Sequence, residues 1–244
     1  MGVIVGAVTT EPAAPAIKAV AALEEDLRRG MYTFIRGAVR PVTRDEAAAS
    51  VGISRKLAAF HLDKLVDAGL LRSRYEAVGG IRKVGRTPKV YEPADTDFAV
   101  TIPPRRHGVL ADILLDAVVT ETEGETARET ALRVAAERGE SLGAAERASL
   151  RPGRLGAERG LTVTETVLAR QGFEPRRETP TCVRLRNCPF HPLASKAPDL
   201  VCGINQAFLG GIVAGLEVPG VDAVLIDPAP GGCCVELRAD QPGG

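Results

Sequence analysis

All five cysteines of the chain fall in one C-terminal run, at Cys182, Cys188, Cys202, Cys233 and Cys234. The segment Leu185-Arg-Asn-Cys-Pro-Phe-His-Pro-Leu193 adds His191 three residues after Cys188. Thirteen residues separate Cys188 from Cys202 and thirty separate Cys202 from Cys233. Thiolates and an imidazole are soft ligands, so Cys188, His191, Cys202, Cys233 and Cys234 form a donor set that could converge on one metal or cluster. Cys182, on the preceding strand, is the least suited of the five. Whichever of Cys233 and Cys234 faces away from the site is expected to pack as a small hydrophobe. The apolar start of the chain lacks the basic opening and unbroken hydrophobic core of a signal peptide. An odd, clustered cysteine count then fits a reducing cytoplasm, where such clusters bind metal more often than they form disulfides.

Enzyme chemistry has less support. A Cys188–His191 hydrolase would need a third group to orient the base, and the sequence supplies none. Leu209-Gly-Gly211 lies inside an apolar helix, where glycine permits close packing rather than cradling phosphate. The chain is therefore read as a non-enzyme.

The elements that must position the cysteines follow an αββαββ order across residues 157–240. Val163–Gln171 reads as a helix closed by Gly172, with strands at Phe173–Arg176 and Thr181–Leu185. Pro198–Leu216 reads as a helix with Leu200, Val201, Ile204, Phe208, Ile212 and Leu216 on one face. Strands follow at Ala223–Ile226 and Cys233–Leu237, giving a helix layer on an antiparallel sheet, an α+β domain. Cys188 then lies just past a strand, Cys202 in the first turns of a helix, and Cys233 and Cys234 at a strand start.

Lys+Arg and Asp+Glu number 31 each, so net charge points to no partner. The distribution is uneven. Ile53–Tyr91 carries nine Lys/Arg against three acids, while Asp116–Glu146 carries eight acids against three arginines. No run of 18 apolar residues occurs, so no membrane partner is expected.

Residues 1–16 read as a flexible leader. A first helix is expected from Lys18 to Val39, stopped before Pro41, with Val20, Leu23, Leu27, Met31, Phe34 and Ala38 on its apolar face. Thr43 with Glu46 forms a capping-box pattern for a short second helix ended by Gly52. Ser54 caps a third, whose apolar side is Leu57, Ala58, His61, Leu62, Leu65 and Val66 and which Gly69 closes. His61 is expected in the core, bonded to backbone. Helix, tight turn and helix make a helix-turn-helix. Leu70–Tyr75 and Lys89–Tyr91, joined through the tract around Arg82, Lys83 and Arg86, complete a wing.

Ser54-Arg-Lys-Leu-Ala-Ala-Phe-His-Leu-Asp-Lys-Leu-Val-Asp-Ala-Gly-Leu-Leu71 and Gly85-Arg-Thr-Pro-Lys-Val-Tyr91 resemble ArsR/DeoR-type winged-helix transcriptional regulators, a likeness that covers residues 18–95 and implies a winged-helix DNA-binding domain over 17–95. The resemblance implies that the third helix enters the major groove of double-stranded operator DNA while the wing follows the backbone. The expected contacts are Ser54, Arg55, Lys56, Ala59, Phe60 and Lys64 on the helix, with Arg82, Lys83, Arg86 and Lys89 on the wing. Cys-Pro-Phe-His, Val-Cys and a final cysteine pair are similar to the C-terminal domain of bacterial iron-sulfur-biogenesis (Suf) repressors. That likeness implies a [4Fe-4S] cluster on Cys188, Cys202 and one of Cys233/Cys234. His191 keeps a Cys3His zinc site open, and a reactive thiol or small-molecule domain is a further alternative.

Between the two ends, 104–122 and 125–138 read as helices and 139–156 as largely loop. Residues 104–156 are accordingly expected to be a helical linker and dimerisation region, since a two-fold protein matches a palindromic operator.

Overall fold

The computed structural model describes residues 13–76, 87–151, 153–228 and 231–240. It divides into two units, Met1–Val100 and Thr101–Gly244. Both mix helices with small antiparallel sheets. Among the described residues, no helix is long and apolar enough to cross a membrane.

In the first unit, α1 (Ala13–Ala22) is followed by α2 (Asp26–Ala38). This corrects the expected continuous helix, and α1 begins inside the expected leader. The break comes from Glu25, whose carboxylate accepts the amides of Leu27 at 3.2 Å and Arg28 at 2.9 Å and so caps α2. A side chain that satisfies the first amides of a new helix ends the old one. β1 (Val42–Thr43), α3 (Arg44–Ser50), α4 (Arg55–Asp67), β2 (Leu71–Tyr75) and β3 (Lys89–Pro93) follow. The strands pair antiparallel in the order β1-β3-β2, with Leu71 opposite Pro93 and Val42 opposite Tyr91. Met31, Ile35, Ala58, Leu62, Leu65 and Tyr91 form the core.

Both caps expected from the sequence are present. Thr43 Oγ1 accepts the Glu46 amide while Glu46 accepts the Thr43 amide at 2.8 Å, and Ser54 accepts the Leu57 amide at 3.3 Å. Gly52 between the two helices has φ +68°, in the left-handed region that glycine adopts without strain. His61 is buried as expected, but its Nδ1 lies 3.4 Å from the Glu25 carboxylate rather than on a backbone group. Leu57 departs from the expected apolar side, being 41% exposed.

The second unit runs α5 (His107–Val119), α6 (Ala127–Leu150), α7 (Ala157–Arg170), β4 (Pro175–Thr179), β5 (Cys182–Leu185), α8 (Leu193–Lys196), α9 (Pro198–Gly215), β6 (Val221–Leu225) and β7 (Val235–Ala239). Its sheet has the order β4-β5-β7-β6, antiparallel throughout. Helix α6, capped by a Thr126–Glu129 box, continues to Leu150 through residues expected to be loop. Gly139 and Gly143 explain the difference. A Cβ on either would collide with the Phe208 or Ile212 carbonyl of α9, and one on Gly211 or Gly215 would collide with the Ala136 or Glu140 carbonyl of α6. Glycines that look like helix breakers in the sequence are where two helix backbones meet. Leu110, Ile113, Ala117, Ala131 and Ala135 share one core with Ile204, Leu209, Val235 and Leu237, so α5 and α6 lie in the same unit as the cysteines.

Gly210 and Gly211 give a matched test of this packing. Gly210 has open space at its Cβ position, so Gly210→Ala should stabilise by about 0.5–1 kcal/mol through helix propensity. Gly211→Ala should destabilise by about 1–3 kcal/mol through overpacking, both read by urea unfolding followed by circular dichroism.

Glu46 gives a pH test. Its hydrogen bonds from Arg40 and from Thr43 lower its pKa from 4.5 to about 2. Its stabilising contribution is therefore complete above pH 4.5 and is lost as pH falls toward 2. Hydrogen exchange at α3 should show Glu46→Ala faster than wild type at pH 6, with the difference narrowing as pH falls through that window.

Candidate functional site

Cys188 follows β5 on a loop that other segments clasp. Asn187 is buried, donating its Nδ2 to the Gly172 carbonyl at 2.7 Å and the Pro104 carbonyl at 3.0 Å. Arg105 Nη1 donates to Asn187 Oδ1 and, at 3.2 Å, to the Cys188 carbonyl. The Arg106 amide reaches the Pro189 carbonyl at 2.9 Å, and His107 Nε2 lies 2.9 Å from the His191 carbonyl. Phe190 is buried edge-on against Phe173, with centroids 6.3 Å apart. Residues 104–107 thus hold the loop through its backbone, leaving the Cys188 sulfur free for other partners.

Two further segments supply the remaining thiols. Cys202 and Asn205 stand three residues apart on α9, and so on the same face of that helix. Cys233 and Cys234 precede β7, pinned by the Cys233 amide on the Leu185 carbonyl at 2.9 Å and the Ile226 amide on the Cys234 carbonyl at 2.9 Å. The four sulfurs are close enough to shift one another's pKa, Cys188 with Cys233, Cys233 with Cys234, and Cys234 with Cys202, so they neighbour one another in a chain. Asn205 Nδ2 joins it, 3.1 Å from Cys233 Sγ.

The chain sets the protonation pattern. Hydrogen bonding from Cys233 lowers the Cys188 pKa against the opposing effect of burial, helped by the amides of Phe190 and His191. Hydrogen bonding from Cys233, and then from Cys202 and Asn205, draws Cys234 down to about 6 against burial. Cys233 is raised by the bonds it makes to Cys188 and Cys234 and by burial. Burial, with the neighbouring Cys234, pushes Cys202 up to about 12.

This donor chemistry suits a thiophilic metal or an iron-sulfur cluster, which takes thiolate ligands. Among the described residues, no group of three or more His, Cys, Asp or Glu side chains is arranged around a single ion position. The four thiols stand as a chain rather than a closed cage. His191 is exposed, and its contribution to Cys188 is its backbone amide. Cys182 lies outside the chain, opposite Arg238 in the sheet, its pKa raised by burial and by Glu236.

In the first unit, α4 buries Ala58, His61, Leu62 and Leu65 and exposes Arg55, Lys56, Phe60 and Lys64, with Ala59 half-buried and Ser54 at its cap. Phe60 is 55% exposed, with Lys64 Nζ 5.7 Å from its ring centroid. Arg55 pairs with Asp45 at 2.8 Å. Lys89 is bound to Asp63 at 2.9 Å and stands over the Tyr91 ring, which ties up part of its charge. Arg82, Lys83 and Arg86 lie outside the described residues.

Sequence reasoning missed Asn187, Arg105, Asn205 and Arg44. Arg44 lines a groove with Arg55, Tyr75 and Lys89. A basic residue at the first position of a helix opposes the dipole, and that was the available signal for it. Asn205 had a signal as well, an amide inside an apolar run three residues after a cysteine.

No protein-family model matches the chain, and no curated protein matches it either.

Asn187→Ala would leave the Pro104 and Gly172 carbonyls and Arg105 without their shared partner. The expected loss is about 1–3 kcal/mol of second-unit stability by urea unfolding, with faster amide exchange at Phe190 and His191.

Proposed function

We propose that the chain is a winged-helix transcriptional regulator, a cytoplasmic homodimer that binds double-stranded operator DNA. Its C-terminal α+β domain holds a [4Fe-4S] cluster, or another thiolate-bound metal such as zinc, which modulates operator binding. The observation that carries this reading is the convergence of Cys188, Cys202, Cys233 and Cys234 from three separate segments into one thiol chain. Four buried or half-buried thiols are more than packing needs, and their linkage is the arrangement that metal uptake could use.

α4 supplies the other half. Its core side fixes the helix while Arg55, Lys56 and Lys64 face outward to neutralise phosphates or meet base edges, and Ala59 and Phe60 can meet thymine methyls. β2 and β3 would carry the wing. When bound, the metal or cluster supplies a link between three chain segments that is sensitive to its own loss. Cys188, Cys202 and one of Cys233 and Cys234 would hold it, and because thiols must lose their protons to bind, uptake would favour higher pH. A ligand alters DNA affinity only as far as it prefers one of two protein states, typically about 5- to 150-fold.

Full-length protein purified without oxygen tests the reading. Brown protein with iron and sulfide identifies the cluster, and colourless protein with one zinc per chain identifies the zinc form. DNA ligands selected from a random library should bind loaded and metal-free protein with affinities differing by about 5- to 150-fold. Arg55→Glu should weaken binding roughly tenfold or more at moderate salt with metal content unchanged. Unchanged binding would refute the assignment of α4, and protein with neither metal would refute that of the cysteines.

A further inference from the structure

Apart from His107 at its start, the polar side chains of α5 are Asp112 and Asp116, and Arg138 of α6 engages both, at 2.8 Å and 3.5 Å. The buried stripe of the helix is Leu110, Ile113 and Ala117. A helix at a surface ordinarily turns polar residues to water on its other side. Here that side is apolar: Leu115 is 64% exposed, Val118 75% and Val119 72%. Standing three and four positions apart, they form one ridge, and contiguous exposed apolar surface of this kind marks a contact. Beside the ridge lies a groove of about 400 Å³ lined by Ala117, Val118, Ala131 and Leu200, with Glu121 and Arg128 on its walls. Among the described residues neither Glu121 nor Arg128 makes an ion pair, whereas nearby Arg133 is paired with Glu125 and Glu137.

We propose that this face is where two copies of the chain meet, the α5 ridge of one copy entering the groove of the other about a two-fold axis. This rests on the homodimer of the reading above and gives it a surface. In a two-fold contact the same patch serves both copies, so the patch must complement itself. This one carries a ridge and a groove side by side, with an unpaired acid and an unpaired base at the groove. Glu121 of each copy then meets Arg128 of the other, while Asp112 and Asp116 stay on Arg138. Covering Leu115, Val118 and Val119 removes apolar surface from water, which drives the association, and the charge pairs fix its orientation. Every residue involved belongs to the second unit, so the contact does not need the first.

The test is sedimentation equilibrium of the full chain over a wide concentration range, purified without oxygen and with reductant so that no disulfide joins copies. Wild type should reach twice the chain mass. Leu115→Glu and Val118→Glu should each weaken self-association about tenfold or more, with circular dichroism and urea unfolding unchanged because both side chains are exposed in the single chain. Glu121→Arg and Arg128→Glu should each weaken it about tenfold, and the Glu121→Arg/Arg128→Glu double variant should return it close to wild type. Loss of folding cannot produce that rescue. Wild type that stays monomeric throughout the range would overturn the proposal, whatever else then covers the face. A dimer that none of these substitutions weakens would overturn it by placing the contact elsewhere, and weakening without rescue would overturn the two-fold arrangement. Arg55→Glu, on the first unit, should leave the dimer intact. A dimer that behaves as expected but selects no DNA from a random library would sink the regulator reading and leave this interface standing.

Discussion

The second unit depends on the close approach of α6 and α9. Gly139 and Gly143 on one helix and Gly211 and Gly215 on the other place backbone against backbone, with each Cβ position already occupied by a carbonyl of the opposite helix. Interiors pack at crystal-like density, so helices this close leave no slack for a methyl group. α9 cannot shift without breaking this contact, and α9 carries Cys202 and Asn205. The segment that brings Cys233 and Cys234 into the inner strand β7 is tied to β5 through the Leu185 carbonyl.

A second constraint acts on the Cys188 loop. Asn187, Arg105 and the backbone of residues 104–107 hold its carbonyls, so the loop has little freedom except at the sulfur. The result is a thiol chain whose members come from a loop, a helix and a strand start, each fixed by hydrogen bonds that do not use the sulfur. Such an arrangement separates support from chemistry. The scaffold holds the backbone, and the thiols are left with one another, with Asn205 and, at Cys188, with the amides of Phe190 and His191.

The pKa pattern follows from that geometry rather than from the residue type. Four identical side chains divide into two with lowered and two with raised values, through hydrogen bonding to neighbouring groups and through burial. Neighbouring buried charges of one sign are unfavourable, which is why the shifts of these four groups depend on one another. Cys182, outside the chain, shows what burial near a carboxylate does to a cysteine with no such donor.

Sequence by itself determined the features governed by local chemistry. The Thr43–Glu46 box, the Ser54 cap, the positive-φ turn at Gly52 and the strand–helix order of the C-terminal region are set by residues within a few positions of each other. The break at Glu25 escaped because glutamate is not among the usual N-cap residues, and an unbroken apolar period ran through it. Tertiary structure alone decided the rest. Gly139 and Gly143 read as breakers until α9 is set against them. His191 reads as a ligand until the loop turns it to solvent, and Asn205 reads as a stray polar residue until Cys233 comes within 3.1 Å of it. Those outcomes depend on contacts between residues far apart in the chain, and spacing along a sequence carries no information about which backbone or sulfur will lie alongside.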